Sequence, residues 1–278
     1  MTAPTAPTAP TAPSARTGGS AVSDTLVVTW RNLKRIPRIP ELAVFAILQS
    51  VMFVLLFAFV FGGAIVVQGG NYREYLMPGI FAQTLAFASA TTSIGMTDDM
   101  QKGLVDRFRS LPMARSAFLT GRTISDVVYN AGILVVLMLS GLAVGWRVRD
   151  GVLEFLAGFG VALLFAYAMS WVGVYVGQLV PTVEVGQQVS FTVVFPLTFL
   201  SNAFVPLESL PGWLQPFAEW NPVSTLTAAM RELFGNPSPP AGSSFASEQP
   251  VLMTLVWCVV FVAIFAPLAV RRYRDSSK

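Results

Sequence analysis

The sequence predicts an all-α integral membrane protein with six transmembrane helices. Three observations carry this: an apolar composition, six long uncharged segments, and a burst of charge between the second and third of them. Of 278 residues, 54% are hydrophobic and only 12% charged, with a mean hydropathy of +0.61, whereas soluble domains carry about 25% charged residues. Uncharged runs at 42–61, 75–96, 127–146, 155–181, 185–207 and 251–270 each approach or exceed the ~20 residues that cross about 30 Å of hydrocarbon. Residues 98–122 instead carry eight charges: Asp98, Asp99, Lys102, Asp106, Arg107, Arg109, Arg115 and Arg122. Placing them at mid-bilayer would cost on the order of 20 kcal/mol, so this stretch is predicted outside the membrane.

Residues 1–22 open with four Thr-Ala-Pro triplets. Proline at every third position blocks helix formation and nothing here can be buried, so a disordered tail is expected. In "SDTLVVTWRNLKRIPRIP", residues 23–40, Leu26, Val27, Trp30, Leu33 and Ile36 recur at helical spacing. Arg31, Lys34, Arg35 and Arg38 form a basic side and Ser23 or Asp24 can cap the start, which predicts a helix lying in the membrane interface. Residues 41–274 form the six-span domain and 275–278 a short tail. With odd-numbered spans running outward, fourteen of the eighteen Lys and Arg residues fall on the side of the two termini. This predicts a multi-pass protein of the cytoplasmic membrane with both termini cytoplasmic.

Several chemistries are excluded. The chain has no histidine, and its single cysteine, Cys258, sits in the apolar run "LVWCVVF", so disulfide frameworks, His/Cys zinc sites and histidine acid–base catalysis are out of reach. None of the three lysines (Lys34, Lys102, Lys278) ends a GxxxxGK[ST] phosphate loop. No catalytic site, bound metal or cofactor is therefore expected in the chain, and any ATP and Mg²⁺ would belong to a partner. A net charge of +3 is too small to indicate nucleic acid. Asp126, Glu154 and Glu184, the acids nearest lipid, are read at span ends, which argues against ion-driven transport without excluding it.

In the charged stretch, Met100, Leu104, Phe108 and Leu111 form one apolar stripe, Thr97 to Asp99 read as a helix start, and Pro112 as its end. A cytoplasmic amphipathic helix of this kind either lies on lipid headgroups or docks into a partner's groove. Between spans five and six, Asn221-Pro222 and Gly235 bound a helix over 222–234, and Trp213, Leu214, Phe217 and Trp220 mark an amphipathic piece before it. Aromatics at this density suit the outer membrane interface. Within the spans, Gln83 and Thr84 of the second and Gln188, Thr192 and Asn202 of the fifth are polar. They either bond between helices or, with Phe191, Phe195 and Phe199 as an apolar wall, line a path for an amphiphile.

Taken together, "KGLVDRFRSLPMARSAFLTGR" after the second span and "LPGWLQPFAEWNPVSTLTAAMRELFG" before the sixth resemble the permease subunits of type 2 ATP-binding-cassette exporters, in particular the daunorubicin-resistance, DrrB-type branch. The resemblance covers 24–274. Many relatives carry a glutamate where Asp98 and Asp99 stand here. The resemblance implies a half-transporter that pairs with a second permease, a copy or a related chain, and with two ATP-binding subunits. It implies that the first helix, with Trp30, Arg31, Lys34 and Arg35, is a connecting helix. Residues 98–111 would be a coupling helix, with Asp99, Lys102, Gly103, Asp106, Arg107, Phe108, Arg109, Leu111 and Pro112 at the ATPase contact, and the outer helices a re-entrant pair. Export of a drug, antibiotic or complex lipid is the expected activity. An ion-driven transporter or channel and a non-transporting membrane anchor for an ATPase are the competing readings.

Overall fold

A computed structural model describes residues 21–35, 40–61, 71–104, 115–238 and 244–275. Within them the chain is helical, with no strand: α1 Ala21–Arg35, α2 Pro40–Leu56 continued by a π-helical turn Phe57–Phe61, α3 Tyr72–Gln101, α4 Arg115–Val144 and α5 Val152–Gly177. Then follow α6 Val183–Phe199, a 3₁₀ turn Leu207–Ser209, α7 Gln215–Trp220, α8 Pro222–Phe234, α9 Phe245–Glu248 and α10 Pro250–Asp275. The Thr-Ala-Pro repeats and the C-terminal 276–278 lie outside the described residues.

All six apolar segments fall on helices. Among the described residues, three of those helices are long and apolar enough to cross a membrane: Ala117–Val144, Val152–Gly177 and Pro250–Asp275. Their outer faces expose Val128, Val135, Leu139, Leu153, Leu156, Val259 and Ile264, the apolar outside that a lipid solvent requires. The fifth segment differs from the sequence expectation: α6 stops at Phe199 after 17 residues, about 26 Å of helix. Its end is fixed from outside, because the Asn221 side-chain amide donates to the carbonyls of Leu197 at 2.6 Å and Leu200 at 3.0 Å. Thr182 caps the start, its hydroxyl accepting from the Val185 amide.

The expected helix start at Thr97–Asp99 is also revised. Nothing in "SIGMTDDMQ" breaks a helix, so α3 continues through it for 30 residues, and these residues form its last turns. The stop is Gly103, whose φ of +64° is a left-handed conformation that glycine adopts without penalty. The rest of the predicted coupling helix, 105–111, lies outside the described residues.

Helix α3 is the core element. It packs against α5, α6, α8 and α4 and buries 21 of its residues. Its contact with α5 is backbone to backbone: a Cβ at Gly173 would collide with the Ser89 carbonyl, and one at Gly177 with that of Ser93. This is the close approach that glycines four apart permit in membrane bundles. Helix α8 is inserted between α3, α5 and α10, with ten of its thirteen residues buried. The sequence signals for its ends hold: the Asn221 side chain accepts from the Val223 amide, Pro222 opens the first turn and Gly235 closes it at φ +63°.

Candidate functional site: a cavity between four helices and the polar knots at its ends

A cavity of about 360 Å³ opens between α2, α3, α4 and α6. Helix geometry assembles it. On α3, Ile80, Gln83, Thr84, Phe87 and Thr91 share a face, and on α6 Phe191, Phe195 and Phe199 follow at four-residue steps. Gln49 and Phe53 of α2 and Tyr129 and Asn130 of α4 complete the wall, and none of the described lining residues is charged. The Phe195 and Phe199 rings stack with centroids 4.4 Å apart, and Phe87 lies 5.4 Å from Phe191. Aromatic faces interspersed with amide and hydroxyl groups suit an uncharged amphiphile that stacks and hydrogen-bonds.

At the Tyr72 end, residues 201–205, which follow α6, are held by side chains from α3 and α8. The Tyr75 hydroxyl donates to the Asn202 carbonyl at 2.8 Å and that of Tyr72 to the Phe204 carbonyl at 3.2 Å. Arg231 is 1% exposed. Its Nε donates to the Tyr75 carbonyl at 3.0 Å, its Nη2 to the carbonyls of Asn202 at 2.9 Å and Ala203 at 3.4 Å, and its guanidinium lies 3.5 Å from the Tyr75 ring centroid. Gly79 leaves no space for a Cβ beside the Ala203 carbonyl. Nearby, Trp146 Nε1 donates to Asn236 Oδ1 at 2.7 Å, and Arg149 grips Glu74 through two bonds of 2.7 and 3.2 Å. That carboxylate holds the Arg149 guanidinium above its usual range.

The opposite end of α3 carries a second knot. Arg122 of α4 pairs with the buried Asp99 and sits 3.9 Å from Asp126, which also accepts from Thr92 Oγ1 at 2.8 Å. Gly95 makes room for the Arg122 guanidinium. Asp126, read from sequence at a span end, thus lies inside the helix stretch Ala117–Val144 that is long enough to cross a membrane. Helix α1 docks on α4 beside this knot: Val28 packs on Gly121, Thr29 Oγ1 donates to the Gly121 carbonyl at 3.1 Å, and Asn32 bonds Ser125.

The predicted site residues separate into three groups. Gln83, Thr84, Phe195 and Phe199 come together in the cavity. Gln188 and Thr192 lie on the exposed side of α6, and Asn202 belongs to the Arg231 knot. Of the coupling residues, Asp99 is buried against Arg122, while Lys102 is exposed and paired with Asp98 at 2.7 Å, next to Gly103. Asp106, Arg107, Phe108, Arg109, Leu111 and Pro112 lie outside the described residues. On α1, Trp30 is exposed with the Lys34 amine 5.1 Å from its ring, and Arg31 bonds Asn32; the Arg35 side chain lies outside the described residues. Sequence reading missed Arg231, which it counted as a loop charge. The available signal was an arginine on the helix face of Leu226, Ala229, Met230 and Phe234.

The family described as ABC-2 type transporter matches residues 23–234. The chain is 31% identical over 258 residues to the daunorubicin resistance ABC transporter permease protein DrrB1 of Streptomyces coeruleorubidus, covering 93% of this chain and 88% of that one. It is 28% identical over 223 residues to the doxorubicin resistance ABC transporter permease protein DrrB of Mycobacterium tuberculosis strain H37Rv, covering 74% and 70%. The chain therefore belongs to the ABC-2 type transporter family.

Proposed function

We propose that this chain is the membrane-spanning subunit of an ATP-driven exporter that moves a hydrophobic or amphiphilic drug, antibiotic or complex lipid out across the cytoplasmic membrane. The observation that carries this reading is the uncharged cavity of aromatic, amide and hydroxyl groups between α2, α3, α4 and α6. Similarity to permeases named for daunorubicin and doxorubicin resistance supports a drug as cargo. With no phosphate loop in the chain, the energy comes from two separate ATP-binding subunits, which bind the ATP and Mg²⁺. All six apolar segments act as spans. Both termini and the 98–122 stretch face the cytoplasm, as the fourteen-to-four distribution of Lys and Arg favours. Helix α1, with its exposed Trp30 and Lys34, rests among lipid headgroups, and α7–α8 form a re-entrant pair. A second permease covers the polar side of α6 that carries Gln187, Gln188 and Thr192, which would be costly to leave in lipid.

The test is reconstitution with a candidate partner ATPase, followed by flux of a fluorescent anthracycline into inverted vesicles. ATP-dependent accumulation is expected. Hydrolysis without flux would make the chain a membrane anchor, and flux that follows an ion gradient without the ATPase would make it an ion-driven carrier. Reversing Arg107 and Arg109 to Glu should abolish flux while leaving the permease in the membrane; unchanged flux in that double variant rules out docking through these residues.

A further inference from the structure

We propose that Arg231 is a positioning residue that latches residues 201–205 as a roof over the outer end of the cavity, and that release of this latch opens the exit. The proposal rests on the orientation given above. Phe204 is the centre of the roof: its ring lies 5.4 Å from Phe199, 6.0 Å from Phe53 and 4.9 Å from Phe57. Phe199 and Phe53 line the cavity, so Phe204 covers it from the side of Tyr72.

The roof makes no regular secondary structure and is held through its carbonyls. Tyr72 and Tyr75 of α3 and Arg231 of α8 bond the carbonyls of Phe204, Asn202 and Ala203, and Ser224 Oγ accepts from the Asn202 amide at 3.1 Å. Arg231 of α8 ties α3 and the roof together, since its Nε holds Tyr75 of α3 while its Nη2 holds the roof. Its hydrogen-bond partners among the described residues are carbonyl oxygens, with the Tyr75 ring beneath. A buried cation without a carboxylate is a costly choice for a merely structural link. It suits a latch: carbonyls exchange for water as the seam opens, without separating a pair of opposite charges. The planar fork is needed, because a lysine ammonium cannot reach Tyr75 and the roof in the same plane.

Cysteine accessibility tests this. In a Cys258→Ser background, Gln83→Cys places a thiol in the cavity, and a membrane-impermeant maleimide is applied to intact cells that contain the full complex. Arg231→Lys and Phe204→Ala should each raise the labelling rate roughly tenfold or more, the effect of losing a charge-assisted bond or a close-fitting cover on an opening equilibrium, and Tyr75→Phe, which loses a neutral bond, roughly two- to tenfold. Tyr75→Phe keeps the ring under Arg231 and removes only the hydroxyl, so it preserves the test if the arginine variants fail to fold. In the same Gln83→Cys complex with the latch residues unchanged, reconstituted in vesicles and given a non-hydrolysable ATP analogue on the ATPase side, the rate should rise similarly. Variant rates equal to that of the latch-intact complex overturn the latch, and a latch-intact rate that ignores the analogue makes Arg231 a structural clamp and overturns the exit. Trp213→Cys, on the exposed loop before α7, reports orientation separately: labelling from the cytoplasmic side alone overturns the orientation and the proposal with it.

Discussion

Arg122 and Arg231 are both held among apolar helices, but their partners differ and so do the consequences of removing them. Arg122 stands between Asp99 and Asp126, with Asp99 almost fully buried. Arg122→Met would leave two carboxylates facing one another without their cation. A loss of about 3–5 kcal/mol is expected, as for other buried pairs broken on one side. It should be read as a lower melting temperature of the purified permease; a change below about 1 kcal/mol would mean that solvent reaches the pair. Both arginines are visible in the sequence as charges. Their partners are not, since Asp99 lies 23 positions from Arg122, and Asn202 lies 29 from Arg231. Spacing along one helix does not encode which groups meet across two.

At the level of elements, the ends of α8 were legible and the contacts between helices were not. Asn221-Pro222 and Gly235 delimit α8 in the sequence as they do in the structure. That the same Asn221 also terminates α6 depends on how the chain folds back after Phe199. Asn221→Ala removes a cap worth about 1 kcal/mol and strips partners from two carbonyls at about 1–3 kcal/mol each, less whatever water recovers. Heat denaturation should show the loss, and a variant within a few tenths of a kcal/mol of wild type would show that water replaces all three bonds. Helix α5 offers an internal control. Gly173→Leu must drive α5 away from the Ser89 backbone, whereas a side chain at Gly160 meets nothing. Gly173→Leu should therefore abolish the folded permease in detergent and Gly160→Leu should not; equal yields would mean that the α3–α5 contact is not tightly packed.

The whole molecule is a bundle built around a polar-speckled α3, with apolar faces outward and one uncharged cavity among the described pockets that carries both amide and aromatic walls. If cargo rests there, Phe195→Ala removes a stacking partner, and anthracycline affinity measured by fluorescence quenching should fall by up to roughly tenfold, the equivalent of about 0.5–1.5 kcal/mol for one aromatic contact. Unchanged affinity would move the cargo site elsewhere. The sequence by itself determined the membrane class, the helical segments, the caps at Asn221 and Gly235, and the side bias of Lys and Arg. These follow from local rules: apolar run length, side-chain hydrogen bonds to nearby amides, and the cost of charge in lipid. Tertiary structure alone decided that Asp126 and Arg231 are interior, that α8 is inserted in the bundle, and that the α6 phenylalanines face Gln83. The physical reason is that periodicity identifies a face of a helix, while the partner of that face is chosen by close packing between helices distant in sequence.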